Sequence, residues 1–136
     1  MALEIKKAKY YESTMEGHAK EGANLLISLS DAGVNLLAFK AAPVQLMRTK
    51  FTIFPEKTID VAKQSALELA GPFSALLIKG DNDESGALAD IYEKLSLAGI
   101  DIDESYGIAD IKESYGVIFY MSRVDCDKAA AALKDG

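Results

Sequence analysis

The chain has 136 residues, 15 of them basic and 21 acidic, for a net charge of −6 at pH 7. That acidic excess repels a phosphate backbone, which excludes nucleic acid as an expected partner. The length suits one domain burying roughly 65–70% of its unfolded surface, so no cofactor or metal is expected for folding. A single cysteine, Cys126, cannot form an internal disulfide, and its position on an apolar stripe predicts burial rather than reactive chemistry.

Taken in chain order, Leu3 to Ser13 is predicted as a strand, because it holds Ile5 and two tyrosines and lacks Gly and Pro. The run contains no apolar segment of signal-peptide or membrane-spanning kind, so no membrane association and a cytoplasmic protein are expected. After the turn Met15-Glu16-Gly17-His18, a helix starts at Ala19 and stops at Asp31-Ala32-Gly33, with Gly33 suited to a left-handed terminal position. Leu36 to Ala41 and Met47 to Phe54 are predicted as hairpin strands, and Ile59 to Ala70 as a second helix stopped by Gly71-Pro72. A strand at 73–79, a polar loop from Gly80 to Ser85 and a helix at 86–98 follow. The chain closes with hairpin arms at 100–108 and 115–121, a turn at 110–113, and a last helix at 126–133.

The second half repeats the first. Superposing Ala32-Gly33-Val34-Asn35 on Ala98-Gly99-Ile100-Asp101 brings Gly22, Leu25 and Leu29 onto Leu88, Ile91 and Leu95, and brings Phe51 and Ile53 onto Val117 and Phe119. The second helices match after a slip of one residue, with Thr58 and Asp125 as N-caps. Two β-α-β-β-α units, residues 1–71 and 72–136, are therefore predicted. They form an α+β sandwich of the ferredoxin-like kind, sharing an antiparallel sheet with helices on one face. Ala75-Leu-Leu-Ile78 and Val117-Ile-Phe-Tyr120 are apolar on both sides. Such strands need cover on the second face, which predicts a homodimer built through an identical partner's sheet.

Asp83-Glu-Ser-Gly86-Ala-Leu88, the helix after it and Ala98-Gly-Ile-Asp-Ile102, together with Ala32-Gly-Val-Asn-Leu36 in the first unit, resemble tandem ACT domains, small-molecule-sensing modules of amino-acid metabolism. In that family the runs are typically Asp-x-Pro-Gly-x-Leu and Ala-Gly-Ile-Asn-Ile. Ser85 stands in place of the proline, Lys20 aligns with Gly86, and the final strand of a complete unit is missing after Leu133. Strand sharing in similar tandem proteins would let 73–79 serve both halves.

The resemblance implies a regulatory protein, not an enzyme, that binds a small effector such as an amino acid and answers to a metabolic enzyme. It implies effector contact at the two strand-to-helix turns. The first turn comprises Glu16, Gly17, His18, Ala19 and Lys20; the second comprises Asp81, Asn82, Ser85, Gly86 and Ala87. Free N–H groups and the positive helix end converge at such turns. His18 and Lys20 suit the first turn to an anionic group, and the acids of the second suit an ammonium. The same residues also read as helix caps, an exposed loop histidine and a solvated lysine.

The alternatives are an interaction module without a ligand and a small enzyme of ferredoxin-like fold. Asp81-x-Asp83-x-Ser85-Gly86 matches the start of a calcium loop, but Tyr92 stands at the twelfth position, where a bidentate Glu is required, so no metal site is predicted. No spacing pairs a nucleophile with a base, and no catalytic residue is assigned.

Overall fold

The computed structural model describes residues 3–17, 19–45, 47–81, 86–109 and 114–134. The elements run β1 (Glu4–Glu16), α1 (Ala19–Asp31), β2 (Leu36–Gln45), β3 (Arg48–Pro55), α2 (Val61–Ala66), β4 (Ala70–Asp81), α3 (Ala87–Leu97), β5 (Glu104–Ala109), β6 (Ser114–Tyr120) and α4 (Arg123–Lys134). Hydrogen-bonded strand order is β2-β3-β1-β4-β6-β5. The fold is α+β with an antiparallel sheet, as the alternation of strands and amphipathic helices predicts.

Residues 9–73 form one compact unit, and residues up to 8 together with those from 74 onward form the other. In the first, β1 pairs antiparallel with β3, Tyr11 opposite Ile53 and Ser13 opposite Phe51. The side chains of Tyr11, Phe51 and Ile53 meet Leu25 and Leu29 of α1 and Ile59 and Leu69 beside α2 in a single core. Each such side chain, fully buried, contributes about 1.5–3 kcal/mol. Gly22 belongs to the same buried face, and a Cβ there would lie 2.6 Å from Phe51 Cζ. The glycine lets α1 approach the sheet closely.

In the other unit, Leu76 and Ile78 of β4 and Val117 and Phe119 of β6 pack against Ile91 and Leu95 of α3 and against Cys126, Ala129 and Leu133 of α4. Cys126 is 2% exposed, as its stripe position predicts. Leu88 departs from the expected stripe: it is exposed, and Ala87 takes the buried place one residue earlier. Positions 87, 91 and 95 fall one turn apart at i, i+4 spacing, so they share a face.

The strand missing from the sequence repeat is supplied in two ways. The unit of residues 9–73 is completed by the first residues of β4, where Phe73 meets Tyr10 at a ring distance of 5.4 Å. The rest of β4 opens the other unit, so one strand serves both halves. There the N-terminal end of β1 joins the core through Leu3 and Ile5, and Lys7 reaches Asp127 of α4 at 2.9 Å. Both units thereby place their opening strand between their third and fourth strands.

Local ends differ from expectation in a few places. The N-cap of α2 is Asp60 rather than Thr58, its carboxylate accepting from the Lys63 N–H at 2.8 Å. At α4 the cap is Ser122, whose hydroxyl accepts from the Asp125 N–H at 3.1 Å. Asp125 is thus the capped third residue, not the cap. Helix α2 stops at Ala66 instead of Ala70 because the Gln64 amide donates to the carbonyls of Leu69 (3.1 Å) and Gly71 (2.7 Å), drawing the chain away into β4. The turn at 110–113 lies outside the described residues.

Candidate functional site

The first strand-to-helix turn is built around Gly17. Its φ of 111° is a value that L side chains rarely adopt, and its N–H donates to the Met47 carbonyl at 3.2 Å. The β1–β3 ladder runs to its end here, with Glu16 opposite Arg48. Ala19 and Lys20 are exposed in the first turn of α1, where backbone N–H groups lack intrahelical partners. A Cβ on Gly17 would meet the Glu21 carboxyl at 2.5 Å, so the carboxylate of Glu21 lies folded against this turn. His18 lies outside the described residues.

The turn therefore joins the end of the ladder, where Glu16 and Arg48 pair on the sheet face opposite the one that Met15 and Phe51 turn toward α1, to a helix start that carries Lys20 and Glu21. Arg48 was not among the residues expected here. It is one of only two arginines in the chain, and its planar guanidinium matches a carboxylate better than Lys20 does. Its placement depends on the strand pairing, which local sequence does not state.

The second turn is described in part. Asp81 ends β4, exposed and opposite Ser114 of β6. Gly86 has a φ of 89° and leads into α3, its carbonyl accepting from the Asp90 N–H at 3.0 Å. Ala87 is buried in the core rather than open to a ligand. Asn82 and Ser85 lie outside the described residues. The two turns belong to different units, and each stands as a site of its own.

Two clefts open at corresponding places that the sequence reading did not single out. Helix α1 ends with Gly33 at φ 76°, the Gly33 N–H bonded to Ser30 O (2.9 Å) and the Val34 N–H to Leu29 O (2.9 Å). Helix α3 ends in the same way, with Gly99 N–H to Ser96 O (3.0 Å) and Ile100 N–H to Leu95 O (3.2 Å). Beyond Gly33, Asn35, Glu56, Lys57, Thr58, Asp60 and Lys63 line a cleft of about 240 Å3. Beyond Gly99, Tyr92, Ser96, Asp101 and Ile102 line one of about 350 Å3. The Ala-Gly stops that align the two halves were the available signal. In the first cleft the Asp60 carboxylate already occupies one helix donor, the Lys63 N–H. The Gly17 turn differs in joining the strand that pairs with Arg48 to a longer helix.

No protein-family model matches this sequence, and a search of curated proteins finds no match. Solved structures do match over nearly the whole chain. A protein from Bacteroides thetaiotaomicron, BT0572, is 20% identical with a TM-score of 0.77, covering 96% of this chain and 89% of that one. The regulatory subunit of aspartate kinase from Thermus thermophilus, in a ligand-free form, is 16% identical with a TM-score of 0.64, covering 98% and 91%. A putative C-terminal regulatory domain of aspartate kinase from Porphyromonas gingivalis is 15% identical with a TM-score of 0.58, covering 98% and 94%.

The fold is ACT-like. At such identities the likeness speaks for the fold, and two of these three structures carry regulatory names. Among the described residues no helix is long and apolar enough to cross a membrane.

Proposed function

We propose that this chain is a small-molecule-binding regulatory protein made of two ACT-like domains, and that its effector is an amino acid held at the Gly17 turn. Each sequence repeat, 1–71 and 72–136, becomes a domain by exchanging a strand with the other. The observation that carries the proposal is the Gly17–Met47 bond, which closes the turn between the end of the β1–β3 ladder, where Glu16 and Arg48 are in register, and the start of α1. An amino acid carries a carboxylate and an ammonium close together. Arg48, Lys20 and the N–H groups at the start of α1 answer the carboxylate, and Glu16 and Glu21 answer the ammonium.

The second turn, with Asp81, Asn82, Ser85, Gly86 and Ala87, is the counterpart. It offers acids without an arginine among its residues, so it favours the ammonium end and binds the more weakly of the two. Occupancy at the first turn alters the stability of its unit, and a metabolic enzyme that docks on the protein reads that change.

The test is a thermal-shift screen of the full chain against the twenty amino acids. A ligand present at 100 times its Kd adds about 2.7 kcal/mol of stability. We expect one amino acid, or a close group, to raise the midpoint, and Arg48→Ala to abolish the rise while leaving the unliganded midpoint in place. A flat screen, joined by flat calorimetric titrations, overturns the proposal.

A further inference from the structure

The clefts at the ends of α1 and α3 occupy corresponding places but differ in charge. The one beyond Gly33 is balanced, with Glu56 and Asp60 against Lys57 and Lys63. The one beyond Gly99 is lined by Asp101 and by no basic side chain. The imbalance extends past the lining, because residues 95–109 include Asp101, Asp103 and Glu104 and neither lysine nor arginine.

Tyr92 gives the second cleft an aromatic wall. Its ring packs edge-on against Phe119, with centroids 5.3 Å apart at 66°, and its hydroxyl hydrogen-bonds with the Ser105 hydroxyl of β5. Both contacts hold the ring in place, yet 43% of the residue stays exposed. With the hydroxyl engaged, the ring offers an occupant its π surface, which attracts cations. In the first unit the positions that superpose on Tyr92 and Ser105 are Leu26 and Phe39, and neither has a hydroxyl to make that tie.

The features of the cleft converge on one chemistry. A held aromatic ring, a carboxylate and the negative end of the α3 dipole all favour a cation. The Asp101 carboxylate and the Ser96 hydroxyl accept hydrogen bonds, which suits the N–H donors of a primary ammonium. Ile102 is half-buried and supplies apolar contact for a short aliphatic stem. The volume of about 350 Å3 falls at the small end of ligand-sized clefts.

We propose that the cleft lined by Tyr92 and Asp101 binds a small primary aliphatic amine that lacks a carboxylate. It belongs to the other unit from the Gly17 turn, and it does not rest on amino-acid binding there. A carboxylate on the ligand would meet the acids of residues 95–109 and the negative helix end. An amine is therefore preferred to the amino acid that shares its stem. The net charge of −6 also draws cations toward the protein.

The experiment is an amide-resolved NMR titration of the full chain with n-butylamine at neutral pH and physiological salt. We expect saturable shifts centred on Tyr92 and residues 96–102. Norvaline is n-butylamine with a carboxylate on the amine-bearing carbon, and it should bind there at least about tenfold more weakly. Nα-acetyl-lysine amide carries a similar aminoalkyl stem on a peptide backbone and should also bind more weakly than the free amine.

Asp101 is exposed, so Asp101→Asn should fold as the wild type does while weakening n-butylamine at least about tenfold. Asp103→Asn removes the same charge from outside the lining and should cost less than about twofold, which separates contact from general attraction. Tyr92→Leu should weaken binding about two- to fivefold, and Tyr92→Phe, which keeps the ring, should stay within about twofold of the wild type. An absence of saturable shifts at 92–102, norvaline binding there as tightly as n-butylamine, or equal losses from Asp101→Asn and Asp103→Asn overturns the inference. Tighter binding of Nα-acetyl-lysine amide than of n-butylamine overturns it as well, by assigning the cleft to a lysine of a partner protein.

Discussion

The hydroxyl of Tyr11 is clasped by the backbone of Ile59, accepting from its N–H at 3.2 Å and donating to its carbonyl at 3.4 Å. Both residues are buried, and the pair ties β1 to the segment that enters α2. Tyr11→Phe keeps the ring and strands both backbone groups. We expect a loss of about 1–3 kcal/mol in urea unfolding with an unchanged slope. A loss near zero would mean that the clasp adds nothing to folding.

Gly22 in α1 sets two effects against each other. Alanine would gain about 1 kcal/mol of helix propensity. Its Cβ, however, would sit 2.6 Å from Cζ of Phe51, a ring that is itself buried in the core. Overpacking of that kind costs about 1–3 kcal/mol, so Gly22→Ala is expected to destabilise on balance. Adding Phe51→Leu should make Gly22→Ala less costly than it is in the wild-type background, a non-additivity readable in a double-mutant cycle.

The terminal glycines of α1 and α3 test conformation alone. Gly33 and Gly99 have φ of 76° and 71°, and nothing lies within 4 Å of a Cβ placed on either. Alanine at each is expected to cost about 1–2 kcal/mol from backbone strain. The two costs should agree, because both glycines close the same pair of helix-end hydrogen bonds. A large difference in chemical denaturation would show that one helix end bears something further.

Asp60→Ala should cost about 0.5–2 kcal/mol through loss of the cap on α2. Because α2 spans only Val61–Ala66, its first turn should fray, giving faster amide exchange at Lys63. Asp60→Asn, which keeps an accepting oxygen, is expected to restore most of the protection. If Asn behaves like Ala, the bond to Lys63 is not what holds the helix.

Much of the architecture was legible in the residues. The helices at Ala19 and 86–98 follow from stripes at i, i+3 and i+4, and their stops from Ala-Gly pairs whose glycines adopt positive φ. The cap positions were less legible, because Thr58, Asp60, Ser122 and Asp125 all have capping chemistry and only the chain path selects among them. The site was legible only in part. Gly17 was found as a turn glycine, while Arg48 was missed because it lies more than thirty positions away and arrives through the β1–β3 register.

What the sequence by itself determined is what acts within a few residues: the periodicity of each helix, the alternation of each strand, the glycine stops and the acidic balance. Only the tertiary structure decided that β4 would serve both halves, and that residues at the start of β1 would join the unit containing Asp127. It also decided that β5 rather than the face of β4 and β6 would carry the exposed apolar side chains. Those outcomes depend on which strands find each other across long stretches of chain. Several pairings satisfy the same local alternation, and the burial of whole faces, summed over both units, chooses one.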